Sequence, residues 1–333
     1  MLQINESPPE VAIVSKSFVY PVELSAPDIE PHRAGKTGIE FVNSFDSGKP
    51  GPHVMVCAVT HGNEICGAIA VDRLLNTGVR PTHGKLSFSF NNHMAYSRFD
   101  PTHADASRFV DEDFKRVWTE DRLDGDENIT ELKRARELRP FFHTVDKLLD
   151  IHSMGTFSLP LMNCNGLEKE RIFTHMVDCP GHIMCGSGHI VGKRIIEYIP
   201  FHQPDDDKAA LLVECGQHWA ASTGDVAMNT AARSLAATDV LPQDIADEFM
   251  SPEGRNAPRS QMWDVVDGIT AKTNSFKFSE NYVGMEVVPA GGSVIATDGD
   301  ESVVTPHDNC LLMMPNYEPG VGTRKVRLCK RVG

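Results

Sequence analysis

Residues 52–78 read PHVMVCAVTHGNEICGAIAVDRLLNTG. The stretch opens on an apolar run of strand length and closes on helical spacing, with His61, Gly62, Asn63 and Glu64 at the junction. The same alternation recurs outward from it. GKLSFSFNN (84–92) reads as a strand, FFHTVDKLLDIHSMG (141–155) as a helix running into a strand, and AALLVECGQH (209–218) as a strand before the helical GDVAMNTAARSLAAT (224–238). Strands alternating with helices imply an α/β fold with a mixed, largely parallel sheet flanked by helices. In such sheets ligands gather outside the carboxyl ends of the strands, so the polar residues that end these runs are the candidate site.

The rest of the chain is quieter. DRLDGDENITELKR (121–134) and HQPDDDK (202–208) read as solvated loops or helix ends, because their charges have no apolar partner face. Beyond about residue 255 helical periodicity gives way to Gly- and Pro-punctuated β-like segments such as YVGMEVVPAGGSVIATDGDESVVTP (282–306) and NCLLMMPNY (309–317). These mark a smaller, β-rich C-terminal domain. EVAIVSKSFVYPVEL (10–24) has β-type pieces whose placement the sequence leaves open.

Composition narrows the function. A formal net charge of −14 argues against nucleic acid or an anionic membrane as partner. No segment has the length and apolarity of a membrane helix, and the first residues lack the pattern of a signal peptide, so a cytoplasmic protein is expected. The eight cysteines lie inside apolar runs such as HVMVCAV and LLVEC, which suits buried reduced thiols rather than a disulfide framework. On an acidic chain, an Arg or Lys kept in a cleft is a local anchor for an anionic ligand.

His61 and Glu64, three apart at a strand–helix junction, can point the same way, and His152 ends the run KLLDIHS at another strand end. Two imidazoles and one carboxylate are a zinc ligand set that leaves a coordination position open, with Asp150 and Ser153 at hand as outer partners. Each residue alone reads equally as a hydrogen-bonded core group. Collected together, HGNE, DIHS and VECGQH point to one metal cleft. A second cluster, Cys179, His182, Cys185 and His189, has the spacing of a compact structural zinc site, but reads better as core Cys and His in a strand and turn.

In order along the chain, THGNEICG, NNHMAYSRFD, SRFVDEDFKRVW, LLDIHS and LLVECGQH resemble the succinylglutamate desuccinylase/aspartoacylase family of the zinc carboxypeptidase superfamily. The resemblance implies a zinc carboxypeptidase-like fold with one Zn2+ per chain, held by His61, Glu64 and His152. Glu214 would activate the attacking water, Arg108 would stabilise the oxyanion, and Asp113 would support the loop. Arg116 would grip a substrate carboxylate together with Lys115, which stands where the family has asparagine, and Tyr317 would contribute to substrate binding from the C-terminal domain. The implied division is a catalytic domain over 1–254, with 1–40 as an extension, and a β-rich domain over 255–333 that roofs the cleft.

The expected activity is zinc-dependent removal of an acyl group from a small N-acyl amino acid or related amide. Two readings stand beside it, a zinc carboxypeptidase acting on short peptides and a catalytically silent metal-dependent binding protein. The expected partner is the small N-acylated substrate, and assembly into homo-oligomers is left open.

Overall fold

The computed structural model describes residues 20–186 and 192–332, with two short strands at Ile13–Val14 and Ser17–Phe18. His189 of the Cys/His cluster lies outside the described residues.

An eleven-stranded sheet forms the spine. Its centre is the run Lys85–Phe90, His53–Ala58, Lys147–Met154 and Ala209–Gln217, each parallel to its neighbour. Val42–Asp46 closes one edge antiparallel to Lys85–Phe90. On the other side the sheet continues through Leu161–Cys164 and His182–Cys185 to Gln261–Thr270, which pairs parallel to His182–Cys185. It ends on the antiparallel strands Arg324–Arg331, Cys310–Met313 and Glu286–Val288.

The central strands are buried along both faces, as parallel strands covered by helices must be. Period-2 alternation splits them between two cores. Val54, Val56, Leu149, Ile151, Leu211 and Val213 face one layer, in which they meet apolar residues of the helices Ile65–Asn76, Glu168–Val177 and Ser222–Ala237. Met55, Cys57, Leu148, Ala210 and Leu212 face the other, packed with Leu132, Ala135 and Leu138 of the helix Thr130–Phe142 and with Trp118, Tyr198 and Phe201.

The C-terminal region is β-rich as its patterning indicates, its own strands pairing antiparallel, and among the described residues no helix follows Pro252–Arg255. It packs through its own cluster around Phe278, Ile295, Leu312 and Val326. A second cluster joins it to the rest, with Met154, Leu161 and Met184 against Trp263, Leu311 and Met313. All eight cysteines are buried and none is in a disulfide. No helix among the described residues is long and apolar enough to cross a membrane.

One reading is overturned. The stretch 121–134 is not wholly solvated: Glu131 and Arg134, on the helix Thr130–Phe142, are buried. Arg134 Nε donates to Asn91 O at 2.8 Å and its Nη2 to Glu40 O at 2.8 Å. Glu131 accepts from the backbone N–H groups of Val110, Asp111 and Glu112 at 2.6, 3.1 and 3.2 Å. These charges are matched by backbone dipoles supplied from distant segments, a compensation that local charge patterning cannot reveal.

Candidate active site

The strand His53–Ala58 ends in a turn that has to be forced. Val59 adopts φ 51°, a left-handed conformation costly for a β-branched residue and often stored at functional sites, at about 1–3 kcal/mol. The turn lifts His61 over the carboxyl end of the sheet. Gly62 is required there by contact: a Cβ would sit 2.4 Å from both Ala95 C and Ser107 O. Its N–H donates to Arg108 O at 3.1 Å, so the residue that admits the neighbouring loop also ties it in place.

His61, Glu64 and His152 come together, all buried, with ligand atoms within 4.8 Å of one another. His61 Nδ1 lies 2.6 Å from Glu64 Oε1, and His152 Nδ1 lies 2.9 Å from Glu64 Oε2. The second contact is close but not aligned as a hydrogen bond, leaving His152 Nδ1 buried without a hydrogen-bond partner. A buried donor set of this kind, with one ring nitrogen left without a hydrogen-bond partner at its centre, fits a divalent cation.

The far nitrogen of each imidazole is held by a carboxylate. His61 Nε2 pairs with Asp113 Oδ1 at 2.9 Å and His152 Nε2 with Asp150 Oδ2 at 2.8 Å. That arrangement fixes the tautomer and turns Nδ1 toward the centre. Asp150 is itself steadied by a relay: Ser89 donates to Asn91, Asn91 to Thr60, and Thr60 to Asp150, at 2.8, 3.1 and 2.8 Å.

Burial acts against ionised Glu64, but the two imidazoles outweigh it and hold its pKa well below the carboxylate range. Burial likewise favours protonated Asp113, and His61 and Arg108 override it, keeping it ionised. For His152, burial disfavours the imidazolium and Lys115 adds to that, yet Asp150 and Glu64 prevail and push its pKa up to about 9.

Arg108, Lys115, Arg116 and Glu214 line one cleft with Glu64. Arg108 Nη1 reaches Glu64 Oε1 at 3.4 Å and its Nη2 lies 3.6 Å from Asp113 Oδ2, so the guanidinium is braced by two carboxylates beside the cluster. Glu214, register partner of His152 on the adjacent strand, is buried. Its Oε1 is 3.3 Å from Lys115 Nζ, while Oε2 has no partner. Tyr317 is placed differently from the rest. It packs against Phe278 and donates its hydroxyl to Tyr282 O at 2.9 Å, whereas its neighbours Asn316 and Glu318 line the cleft.

The Cys/His cluster does not assemble among the described residues. Cys179 Sγ turns to Thr230 Oγ1 at 3.4 Å and Cys185 Sγ to Cys164 Sγ at 2.9 Å.

Sequence reading missed the opposite wall of the cleft. Arg194, Arg324 and Arg327 line it; also missed was His218, which lines the cleft from the end of the strand Ala209–Gln217, its Nδ1 2.8 Å from Ser153 Oγ. Burial lowers the His218 pKa to about 3, with Glu64 opposing it and Arg108 and His61 adding to it, so its ring is neutral. Arg194 falls in KRIIEYIP and Arg324 and Arg327 in TRKVRL, where nothing local separates a cleft arginine from a surface one. Glu131, which anchors the loop of Arg108 and Asp113, was missed for the same reason.

Fold and site together define a mixed α/β protein with a buried His–Glu–His cluster at the carboxyl ends of parallel strands. Residues 50–178 match the family model of the succinylglutamate desuccinylase/aspartoacylase catalytic domain. Solved structures agree in fold. Succinylglutamate desuccinylase from Vibrio parahaemolyticus is 16% identical with a TM-score of 0.62, over 88% of this chain and 87% of that one. The Vibrio cholerae enzyme of that name is 18% identical with a TM-score of 0.61, over 88% and 86%. The product-bound ectoine utilization protein EutE (DoeB) from Ruegeria pomeroyi is 14% identical with a TM-score of 0.61, over 87% and 89%. No curated protein matches the chain.

Proposed function

We propose that this chain is a zinc-dependent amidohydrolase that removes the acyl group from a small N-acyl amino acid or related amide. The observation that carries the reading is the meeting, in one cleft, of a His61/Glu64/His152 ligand set, a buried carboxylate with a free oxygen, and a braced guanidinium. The family match supports a deacylase, and the donor set supports zinc.

When bound by His61, Glu64 and His152, zinc supplies Lewis acidity toward a carbonyl oxygen and lowers the pKa of water toward about 7. The chain's own residues supply the rest. Glu214 Oε2 takes the proton of the attacking water and returns it to the departing nitrogen, which an amide needs because its unprotonated amine leaves poorly. Arg108 stands as a fixed cation for charge developing on the acyl oxygen. The cleft, about 310 Å³, suits a small substrate.

Charge supports an anionic one. Arg108, Lys115, Arg116, Arg194, Arg324 and Arg327 face Glu64, Glu214 and Glu318, in a chain of net charge −14. Burial, and then the neighbouring Arg194, Arg324 and Arg116 charges, bring the Arg327 pKa down to about 10. A substrate carboxylate relieves that crowding through charge-assisted hydrogen bonds.

The test is zinc-loaded protein on a panel of N-acyl amino acids and a series of short peptides, beside Glu214→Gln. Hydrolysis of the N-acyl amino acids, reduced about 10²- to 10⁴-fold in Glu214→Gln at unchanged zinc content, is expected. Activity rising with peptide length would replace the reading with a carboxypeptidase. Tight binding without turnover would replace it with a silent binding protein.

A further inference from the structure

Lys115 occupies the position at which a substrate anchor is expected, yet its ammonium is turned to the floor of the cleft. Its side chain is buried, and its Nζ lies 3.3 Å from Glu214 Oε1. The backbone of the same residue is fixed as well: its N–H donates at 2.9 Å to Asp113 Oδ1, the oxygen that also receives His61 Nε2 at 2.9 Å. One short helical turn, Phe114–Arg116, thus ties a proposed metal ligand through its backbone side and a proposed base through its side chain.

We infer that Lys115 is a positioning residue for Glu214, not an anchor for the substrate carboxylate. The inference rests on the reading of Glu214 as the group that carries the proton. Glu214 is buried, so it needs a compensating charge, and among the described residues Lys115 is the cation that pairs with it. With Oε1 occupied, the carboxylate cannot turn freely and Oε2 remains for proton transfer. The asparagine of the family pattern has a side chain too short to make this bridge, so the lysine is a feature of this chain. Substrate anchoring then falls to Arg116 and the arginines of the opposite wall.

Two measurements on the zinc-loaded full chain test this. With the N-acetyl amino acid that the wild type hydrolyses fastest, Lys115→Met should lower kcat by about 10- to 100-fold and change KM by less than about threefold, with Lys115→Arg recovering part of the loss. A rise in KM at unchanged kcat overturns the inference. Independently of substrate, the 13Cδ resonance of Glu214, assigned by its disappearance in Glu214→Gln, should move in Lys115→Met and stay in place in Arg116→Met. An unmoved resonance overturns it too. If Lys115→Met does not fold, Lys115→Gln is read by the same criteria. Undiminished activity in Glu214→Gln sinks the reading of the base itself, whereas an inactive Glu214→Gln beside a Lys115→Met that changes only KM sinks this inference alone.

Discussion

The two walls of the cleft are built on opposite electrostatic plans. On the wall formed by the strand ends, each imidazole has its own carboxylate, Asp113 for His61 and Asp150 for His152, and Lys115 is matched to Glu214. On the other wall Arg324 and Arg327 crowd with Arg194, which is itself paired with Glu197 at 2.9 Å, and with the nearby Arg116, so that cations outnumber carboxylates along the lining. A balanced cluster is already organised in the free protein and reacts little to an anion. An unbalanced one is completed by its ligand. The difference separates the groups expected to govern turnover from those expected to govern affinity.

The largest break should come from the balanced wall. His152→Ala removes a proposed ligand and leaves Glu64 and Asp150 without their shared partner, so zinc measured by elemental analysis should fall from about one per chain to below about 0.1, and activity with it. Full zinc occupancy in this variant would dissolve the proposed ligand set.

A paired measurement sharpens the contrast. Arg108→Ala should lower kcat by about 10²- to 10³-fold with little change in KM, since the oxyanion it is proposed to stabilise exists only along the reaction path. Arg327→Met, on the far wall, should raise KM by about 10-fold at nearly constant kcat, the signature of uniform binding. Were the two variants to behave alike, the division between walls would be lost.

The smallest effect concerns the support behind the first wall. Glu131→Gln keeps the shape but weakens three hydrogen bonds to the backbone of Val110, Asp111 and Glu112. A loss of about 1–3 kcal/mol in chemical unfolding is expected, with kcat falling as the Arg108 loop loosens. Unchanged stability would show that the loop is held by other contacts.

Much of this site was legible because it sits where strands end. His61, Glu64, His152 and Glu214 each close an apolar run, and parallel sheet geometry brings such ends to one side regardless of the distance between them in the chain. Arg108, Lys115 and Arg116 were legible through motif order. The far wall was not, because Arg194, Arg324 and Arg327 lie in stretches whose composition is that of ordinary surface. Glu131 and Arg134 were misread for a related reason: a charge becomes buried when remote backbone groups satisfy it, and those groups come from residues 40, 91 and 110–112.

What the amino-acid order determined by itself is local and periodic: which segments become strands and helices, which faces bury, and which polar residues stand at the carboxyl ends of the sheet. What tertiary structure alone decided is pairwise and long-range. Lys115 meets Glu214 and not a solvent-facing carboxylate, and Arg116, Arg194, Arg324 and Arg327, from three separate segments, line one cleft. The physical reason is that apolar burial depends on spacing along the chain, whereas the pairing of a charge depends on which groups the fold places within a few ångströms of it.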